Sequence, residues 1–205
     1  MPQRCVIISG GIFSPIEPIQ KEDFIIACDK GYQYAVESNI VPHVIIGDFD
    51  STRKPEHTSS ELSVFPKEKD DTDTMLAMRY ALEHGYREIS IFCALGGRFD
   101  HSYANIQTAA FGVKRGAVVT IYDRNTTLYF MQNCSIKIPR CKDRSLSLFS
   151  LSDRCQDLSI EGVKYPLQSA EITSDFPIGI SNEWTADTAT IQVGNGILMV
   201  VLSAL

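Results

Sequence analysis

At 205 residues the chain can form one large domain or two small ones, and 44% hydrophobic with 21% charged residues is the balance of a globular protein able to bury a core. A formal charge of -6 with no cluster of Lys and Arg argues against a nucleic-acid or acidic-membrane partner, and it leaves any anionic substrate to be held by a local device such as a metal ion. The six cysteines (Cys5, Cys28, Cys93, Cys134, Cys141 and Cys155) form no C-x-x-C pair, so reduced thiols are expected rather than disulfides or a zinc site. Residues 1–13 lack a signal-peptide layout and no stretch approaches transmembrane length, so a soluble, cytoplasmic protein is expected.

Val6-Ile7-Ile8 reads as a first strand, ending at Ser9-Gly10-Gly11. Phe24-Ile25-Ile26-Ala27-Cys28 is a second, ending at Asp29-Lys30-Gly31, and about two turns of helix follow to Ser38, with Asn39 as the stop. Val44-Ile45-Ile46 is a third, ending at Gly47-Asp48-Phe49-Asp50-Ser51. Asp70-Asp71-Thr72-Asp73 then caps a helix that runs to about His84 and stops at Gly85. Residues 89–95 form a buried strand, Gly96-Gly97-Arg98-Phe99-Asp100-His101 a turn, residues 102–111 a helix and residues 118–122 a further strand. Short β-rich runs alternating with helical patterns predict a doubly wound, mostly parallel sheet.

From Thr126 the helical period disappears. Residues 127–131, 135–138, 145–150, 189–193 and 197–202 read as strands, and the Ser-Leu-Ser-Leu alternation of the third predicts a half-buried antiparallel strand. An antiparallel β-sandwich is expected here, so the chain divides into an α/β domain (1–125) and a sandwich domain (126–205), with no flexible linker. Trp184, the only tryptophan, reads as core or interface.

Three predicted strands end in a carboxylate: Asp29, Asp48 with Asp50, and Asp100; Asp73 opens a helix. Strand ends at one edge of a parallel sheet converge, and ligands of open α/β sheets bind there. Asp48 and Asp50, two apart in extended chain, would stand roughly 6–7 Å apart on one side. At about 5 Å and an effective dielectric near 20, each such pair costs about 3 kcal/mol, so either protons or a cation must sit among them. Carboxylates and water suit Mg²⁺, which then shares its shell with substrate phosphates. Arg98 can grip a phosphate through two parallel hydrogen bonds. Singly, each residue has a plainer reading: Asp70, Asp71 and Asp73 as helix caps, Asp29 as a turn residue, Arg98 with Asp100 as a structural ion pair, His101 as a helix-start residue, Cys28 as core and Tyr165 as loop packing. No G-x-x-x-x-G-K-[ST] is present and no G-x-G-x-x-G follows a strand, which excludes a P-loop enzyme and weakens a dinucleotide reading.

Taken together, Asp29-x-Gly31, Gly47-Asp48-Phe49-Asp50-Ser51, Lys69-Asp70-x-Thr72-Asp73 and Gly96-Gly97-Arg98-Phe99-Asp100-His101 with Asn105 resemble, in order and spacing, the thiamine pyrophosphokinase family. Gly162-Val163-Lys164-Tyr165-Pro166-Leu167 and Ser181-Asn182-Glu183 agree more weakly. The resemblance implies transfer of the pyrophosphoryl group of ATP to the hydroxyl of thiamine, giving thiamine diphosphate and AMP, with Mg²⁺ as cofactor. It also implies a homodimer whose sites draw on both subunits. Asp48, Asp50 and Asp73 would then hold the metal and, with Arg98 and Asp100, form the catalytic set. Asp29, Gly31, Asp48, Ser51, Lys69 and Arg98 would contact ATP, and Thr72, Asp100, Tyr165, Ser181 and Asn182 would contact thiamine. Asp100 or Asp73 would accept the hydroxyl proton, with Asp100 preferred because Asp73 at a helix N-terminus should stay ionised. Lys30 stands where many relatives carry glycine. Two other readings stay open: a Mg²⁺-dependent phosphotransferase acting on another alcohol, and a non-catalytic thiamine- or nucleotide-binding module.

Overall fold

The apolar runs of the first half pair into an all-parallel sheet. A computed structural model describes residues 4–47, 60–64 (61–64 as backbone alone) and 71–205, and the chain divides into two compact units, Met1–Arg124 and Asn125–Leu205. In the N-terminal unit β1 (Cys5–Ile8), β2 (Phe24–Cys28), β3 (Val44–Gly47), β4 (Glu61–Val64), β5 (Glu88–Phe92) and β6 (Val118–Tyr122) lie in the order β6-β5-β1-β2-β3-β4. Among the described residues three helices connect them: α1 (Gly31–Glu37), α2 (Asp73–Glu83) and α3 (Phe99–Val113). The chain builds outward from β1 to β4, then returns across the sheet to add β5 and β6 on the other side. Right-handed crossovers therefore put α1 on one face and α2 with α3 on the other. Tyr34 and Ala35 of α1 share a core with Val6, Ile8, Ile25 and Phe92, while α2 packs against α3, where Gly112 leaves room for Met78. This is the doubly wound arrangement expected.

Several boundaries differ from the expected ones for local reasons. β5 stops at Phe92, because Cys93 takes a φ of 54° and turns the chain away from the sheet. α3 starts at Phe99, so Asp100 and His101 belong to its first turn rather than to a loop before it, and only Arg98 is the N-cap. The cap of α2 is Thr72, whose hydroxyl oxygen accepts from the Met75 N–H at 3.2 Å; Asp73 is the first helical residue and Asp71 pairs with Arg79 at 2.9 Å. β4 went unpredicted, since Glu-Leu-Ser-Val is too short and polar to stand out.

The C-terminal unit is a sandwich of two antiparallel sheets. One has the order β12-β9-β14-β7, from β7 (Thr126–Met131), β9 (Arg144–Ser150), β12 (Gly179–Asn182) and β14 (Leu198–Ala204). The other has the order β11-β10-β13-β8, from β8 (Cys134–Pro139), β10 (Arg154–Glu161), β11 (Leu167–Thr173) and β13 (Thr188–Val193). Leu146, Leu148, Leu198, Val200 and Leu202 of the first meet Leu158, Ile160, Ala189 and Ile191 of the second, and Trp184 lies in this core with its Nε1–H donated to the Ile138 carbonyl at 3.4 Å. β9 is not half-buried as its alternation suggests: Ser145 and Ser147 are buried along with Leu146 and Leu148.

The N-terminal unit also contains a buried ion pair. Arg4, just before β1, gives Nε to Asp23 Oδ1 at 2.9 Å and a second nitrogen to Oδ2 at 2.5 Å, and the Gln20 N–H adds a third bond to this carboxylate. Burial alone would push the Asp23 carboxyl up; the Arg4 hydrogen bond, the Gln20 N–H and the Arg4 charge outweigh it and hold it below its ordinary value. A depressed folded pKa contributes stability above the unfolded carboxylate's titration and loses it as pH falls through the folded value. Asp23→Asn, which strands Arg4, should cost about 3–5 kcal/mol at neutral pH. Urea titrations should show its deficit against the unaltered protein shrinking as pH drops below about 4.

Candidate active site

β1 has neighbours from both directions of the winding, β2 on one side and β5 on the other, so the topological switch lies between β1 and β5. A crevice at the carboxyl ends of those strands is where an open α/β sheet takes its ligand. The pairing continues past the strands: Ser9 N–H donates to Phe92 O at 2.9 Å, Gly11 N–H to Cys93 O at 2.7 Å and Ile12 N–H to Leu95 O at 3.1 Å. The approach is close enough that a Cβ on Gly11 would stand 2.6 Å from the Cys93 carbonyl oxygen, so only glycine fits. Tyr34 ties α1 to the same loop through a 2.8 Å bond from its hydroxyl to Gly11 O.

The turn from Gly96 to His101 stands at this switch point. Gly96 and Gly97 take φ values of 80° and 67° and lead into α3. Arg98 then folds its guanidinium onto Asp100, with Nε to Oδ1 at 3.1 Å and a second nitrogen to Oδ2 at 2.5 Å, and the His101 N–H also donates to Oδ1 at 2.9 Å. Both side chains are largely exposed. The Arg98 hydrogen bond, chiefly, holds the Asp100 carboxyl below its ordinary value. Arg98 and Asp100 thus form one solvent-facing unit, ionised at neutral pH. Asn105, buried on α3, donates to the Ala94 carbonyl at 2.7 Å and anchors the loop that carries this unit.

Asp29, at the end of β2, has a φ of 41°; its N–H donates to Ile46 O at 2.8 Å and its carbonyl accepts from the Tyr32 N–H at 3.0 Å, so it turns the chain into α1. Gly31 lies against β1, where an added Cβ would meet Ile8 O at 2.1 Å. Lys30 extends its ammonium over the Tyr34 ring, 5.3 Å from the centroid. Asp73, first in α2, lies above the ends of β1 and β2: Cys28 Sγ approaches its carbonyl oxygen at 3.5 Å, and the next residue, Thr74, shares a hydrogen bond with Ser9. Asp48, Asp50, Ser51 and Lys69 lie outside the described residues. Of the three proposed metal ligands, only Asp73 is therefore placed, and the described residues hold no group of three potential ligands. All three are carboxylates, a set of hard oxygen donors that suits Mg²⁺.

Of the residues expected on the thiamine side in the C-terminal unit, Tyr165 and Asn182 line a pocket of about 270 Å³ together with Leu148, Ile160, Leu167 and Ile180, among others, and Ser181 is not among its lining residues. Asn182 is buried and uses both ends of its amide on the chain around it: Oδ1 accepts from the N–H groups of Tyr165 and Glu183 at 3.0 Å each, and Nδ2 donates to Tyr165 O at 2.8 Å. It fixes the backbone of Tyr165, whose ring stays 62% exposed at the rim and carries the Lys164 ammonium 5.6 Å from its centroid. Ser181 adopts a φ of 58° in a bulge where β12 slips against β9, held by its N–H donating to Ser147 Oγ at 3.0 Å. Tyr34, Ser9 and Thr74, which shape the N-terminal crevice, escaped the sequence reading; none belongs to a motif, and only their contacts across the fold expose them.

A parallel sheet with an arginine–aspartate pair at its switch point is thus followed in the chain by a sandwich bearing an aromatic-rimmed pocket. A family model described as the catalytic domain of thiamin pyrophosphokinase matches residues 17–121, and one described as its vitamin B1 binding domain matches residues 133–198. Thiamine pyrophosphokinase of Bacillus subtilis (strain 168) is 33% identical over 184 residues, which cover 87% of this chain and 86% of that protein. A crystal structure of thiamine pyrophosphokinase from Bacillus subtilis superposes with a TM-score of 0.87 at 28% identity, covering 99% of this chain and 100% of that one. One of thiamin pyrophosphokinase from Geobacillus thermodenitrificans gives 0.82 at 26% identity, covering 99% and 98%. The chain belongs to the thiamin pyrophosphokinase family, and is therefore a pyrophosphotransferase.

The Arg98–Asp100 pair can be tested without substrate. Arg98→Met should return the Asp100 carboxyl upward toward the ordinary carboxylate range, read by carbon NMR titration, whereas an unchanged titration would mean that the pair does not persist in solution.

Proposed function

We propose that the enzyme transfers the pyrophosphoryl group of ATP to the hydroxyl of thiamine, releasing AMP and thiamine diphosphate, and that it requires Mg²⁺. The observation that carries this reading is the Arg98–Asp100 unit at the β1–β5 switch point, on the sheet edge above which α2 opens with Asp73. Attack at the β-phosphorus spreads negative charge over phosphoryl oxygens, and the guanidinium of Arg98 supplies donors to meet it. Asp29, Gly31, Ser51 and Lys69 would line the ATP side. Asp100, kept ionised by Arg98, accepts a hydrogen bond from the thiamine hydroxyl and orients it; little more is asked of a base in phosphoryl-type transfer. Asp48, Asp50 and Asp73 would hold the Mg²⁺, which when bound neutralises charge on the phosphate oxygens.

In this reading residues 1–125 form the catalytic domain, and residues 126–205 bind thiamine and dimerise. Tyr165 would stack on the cationic thiazolium ring. Ser181 and Thr72 would contribute polar contacts and Asn182 would hold Tyr165 in place. A homodimer with sites drawing on both subunits is supported by the apolar side chains that the C-terminal unit leaves exposed, Tyr165, Phe176, Ile178 and Ile180. Among the described residues no helix is long and apolar enough to cross a membrane, and a cytoplasmic location fits the free cysteines.

Incubation with ATP, Mg²⁺ and thiamine should yield AMP and thiamine diphosphate in equal amounts. ADP as the nucleotide product, or ATP turnover indifferent to thiamine, would overturn the reading. Asp73→Asn and Arg98→Met should each lower kcat by about 10²–10³. Tyr165→Ala should instead raise the KM for thiamine by up to about tenfold.

A further inference from the structure

Ser9 and Thr74 meet where the sheet passes under α2. Ser9 directly follows β1, and Thr74 is the second residue of α2, next to Asp73. Their hydroxyls share a 2.7 Å hydrogen bond, and the residues are 3% and 5% exposed. Ser9 is held in turn by its own N–H on Phe92 O, so the contact joins the first turn of α2 to the β1–β5 seam. On the other side of that turn, Cys28 Sγ at the end of β2 stands 3.5 Å from the Asp73 carbonyl oxygen.

A buried hydroxyl pair is a poor device for stability alone. Replacing both partners by apolar groups of the same shape is close to neutral, because the hydrogen bond gained on folding only offsets the hydration lost. What the pair adds is direction. An apolar contact would let α2 slide or rotate over β1, whereas a 2.7 Å bond fixes its first turn in register with the strand end. The residue carried by that turn is Asp73.

We propose that the Ser9–Thr74 hydrogen bond is the positioning contact that sets the Asp73 carboxylate above the carboxyl ends of β1 and β2. The proposal rests on the reading of Asp73 given under Proposed function. Neither hydroxyl touches substrate; both act through the helix that carries the carboxylate. A displacement of about 1 Å at a catalytic group can cost up to about a hundredfold in rate, so a contact of this kind governs kcat without contributing to thiamine binding.

The test is a double variant, Ser9→Ala with Thr74→Val, compared with Thr74→Val and Thr74→Ser. The double variant should melt close to the unaltered protein, since no buried hydroxyl is left unpaired. It should nevertheless lose about ten- to a hundredfold in kcat with the KM for thiamine unchanged. Binding of Mn²⁺ in the presence of ATP, followed by electron paramagnetic resonance without thiamine, should weaken by about tenfold. Thr74→Ser, which keeps the hydroxyl, should recover most of both losses. A double variant with unaltered kcat and unaltered Mn²⁺ affinity would overturn the proposal, as would a Thr74→Ser variant as impaired as Thr74→Val. If the double variant melts far lower, the comparison of Thr74→Ser with Thr74→Val, made well below both melting temperatures, decides. Failure of the unaltered protein to release AMP in response to thiamine would count against the functional reading itself, while Mn²⁺ affinity would still report on the pair.

Discussion

The pairing of β1 with β5 is the constraint on which the N-terminal unit depends. There the two directions of winding meet, and its hydrogen bonds run on past the strands through Ser9, Gly11 and Ile12. Because those bonds fix both loops, the arginine and aspartate after β5 open onto one crevice with the glycines after β1. Tyr34 from one face of the sheet and Asn105 from the other then lock the loops from outside. Backbone groups that must be satisfied anyway are thus satisfied between the two loops.

Charge is handled there by local pairing. The overall charge of -6 offers no attraction to a polyphosphate, so donors have to be concentrated. Arg98 rests on Asp100, which holds a flexible cation in one geometry and keeps the carboxyl below its ordinary value. In the C-terminal unit the same economy appears in neutral form: one buried amide, Asn182, satisfies three backbone groups and leaves the Tyr165 ring on the surface.

The long apolar runs were legible in the sequence, and so was Asp29 at the end of β2, whereas Asp100 belongs to a helix and Asp48 and Asp50 lie outside the described residues. β2 and β6 run as expected, because a buried parallel strand is an uninterrupted apolar stretch. The early end of β5 has a local cause: Cys93 leaves the sheet at a left-handed angle, which residue type does not announce. β10, β11 and β12 were missed because bulges at Asp157, Ser169 and Ser181 break the period-two pattern that reveals a strand. In the site, the motif residues could be read but their supports could not. Ser9 and Thr74 are 65 positions apart, and nothing short of the folded chain brings two such common residues together.

The position of β14 bears on how the protein is made. This strand, at 198–204, lies between β7 and β9 and completes the hydrogen bonding of both. Until it has emerged from the ribosome, β7 and β9 each have an unpaired edge and the sandwich core lacks Leu198, Val200 and Leu202. Cys5 likewise finds its partner Ile89 only after 84 further residues, by subtraction of their positions. Both units are therefore closed by late, non-local pairing, which slows folding and leaves apolar strand edges open to other chains in the meantime. Yield in cells should depend on chaperone capacity and growth temperature more than on the stability of the finished protein.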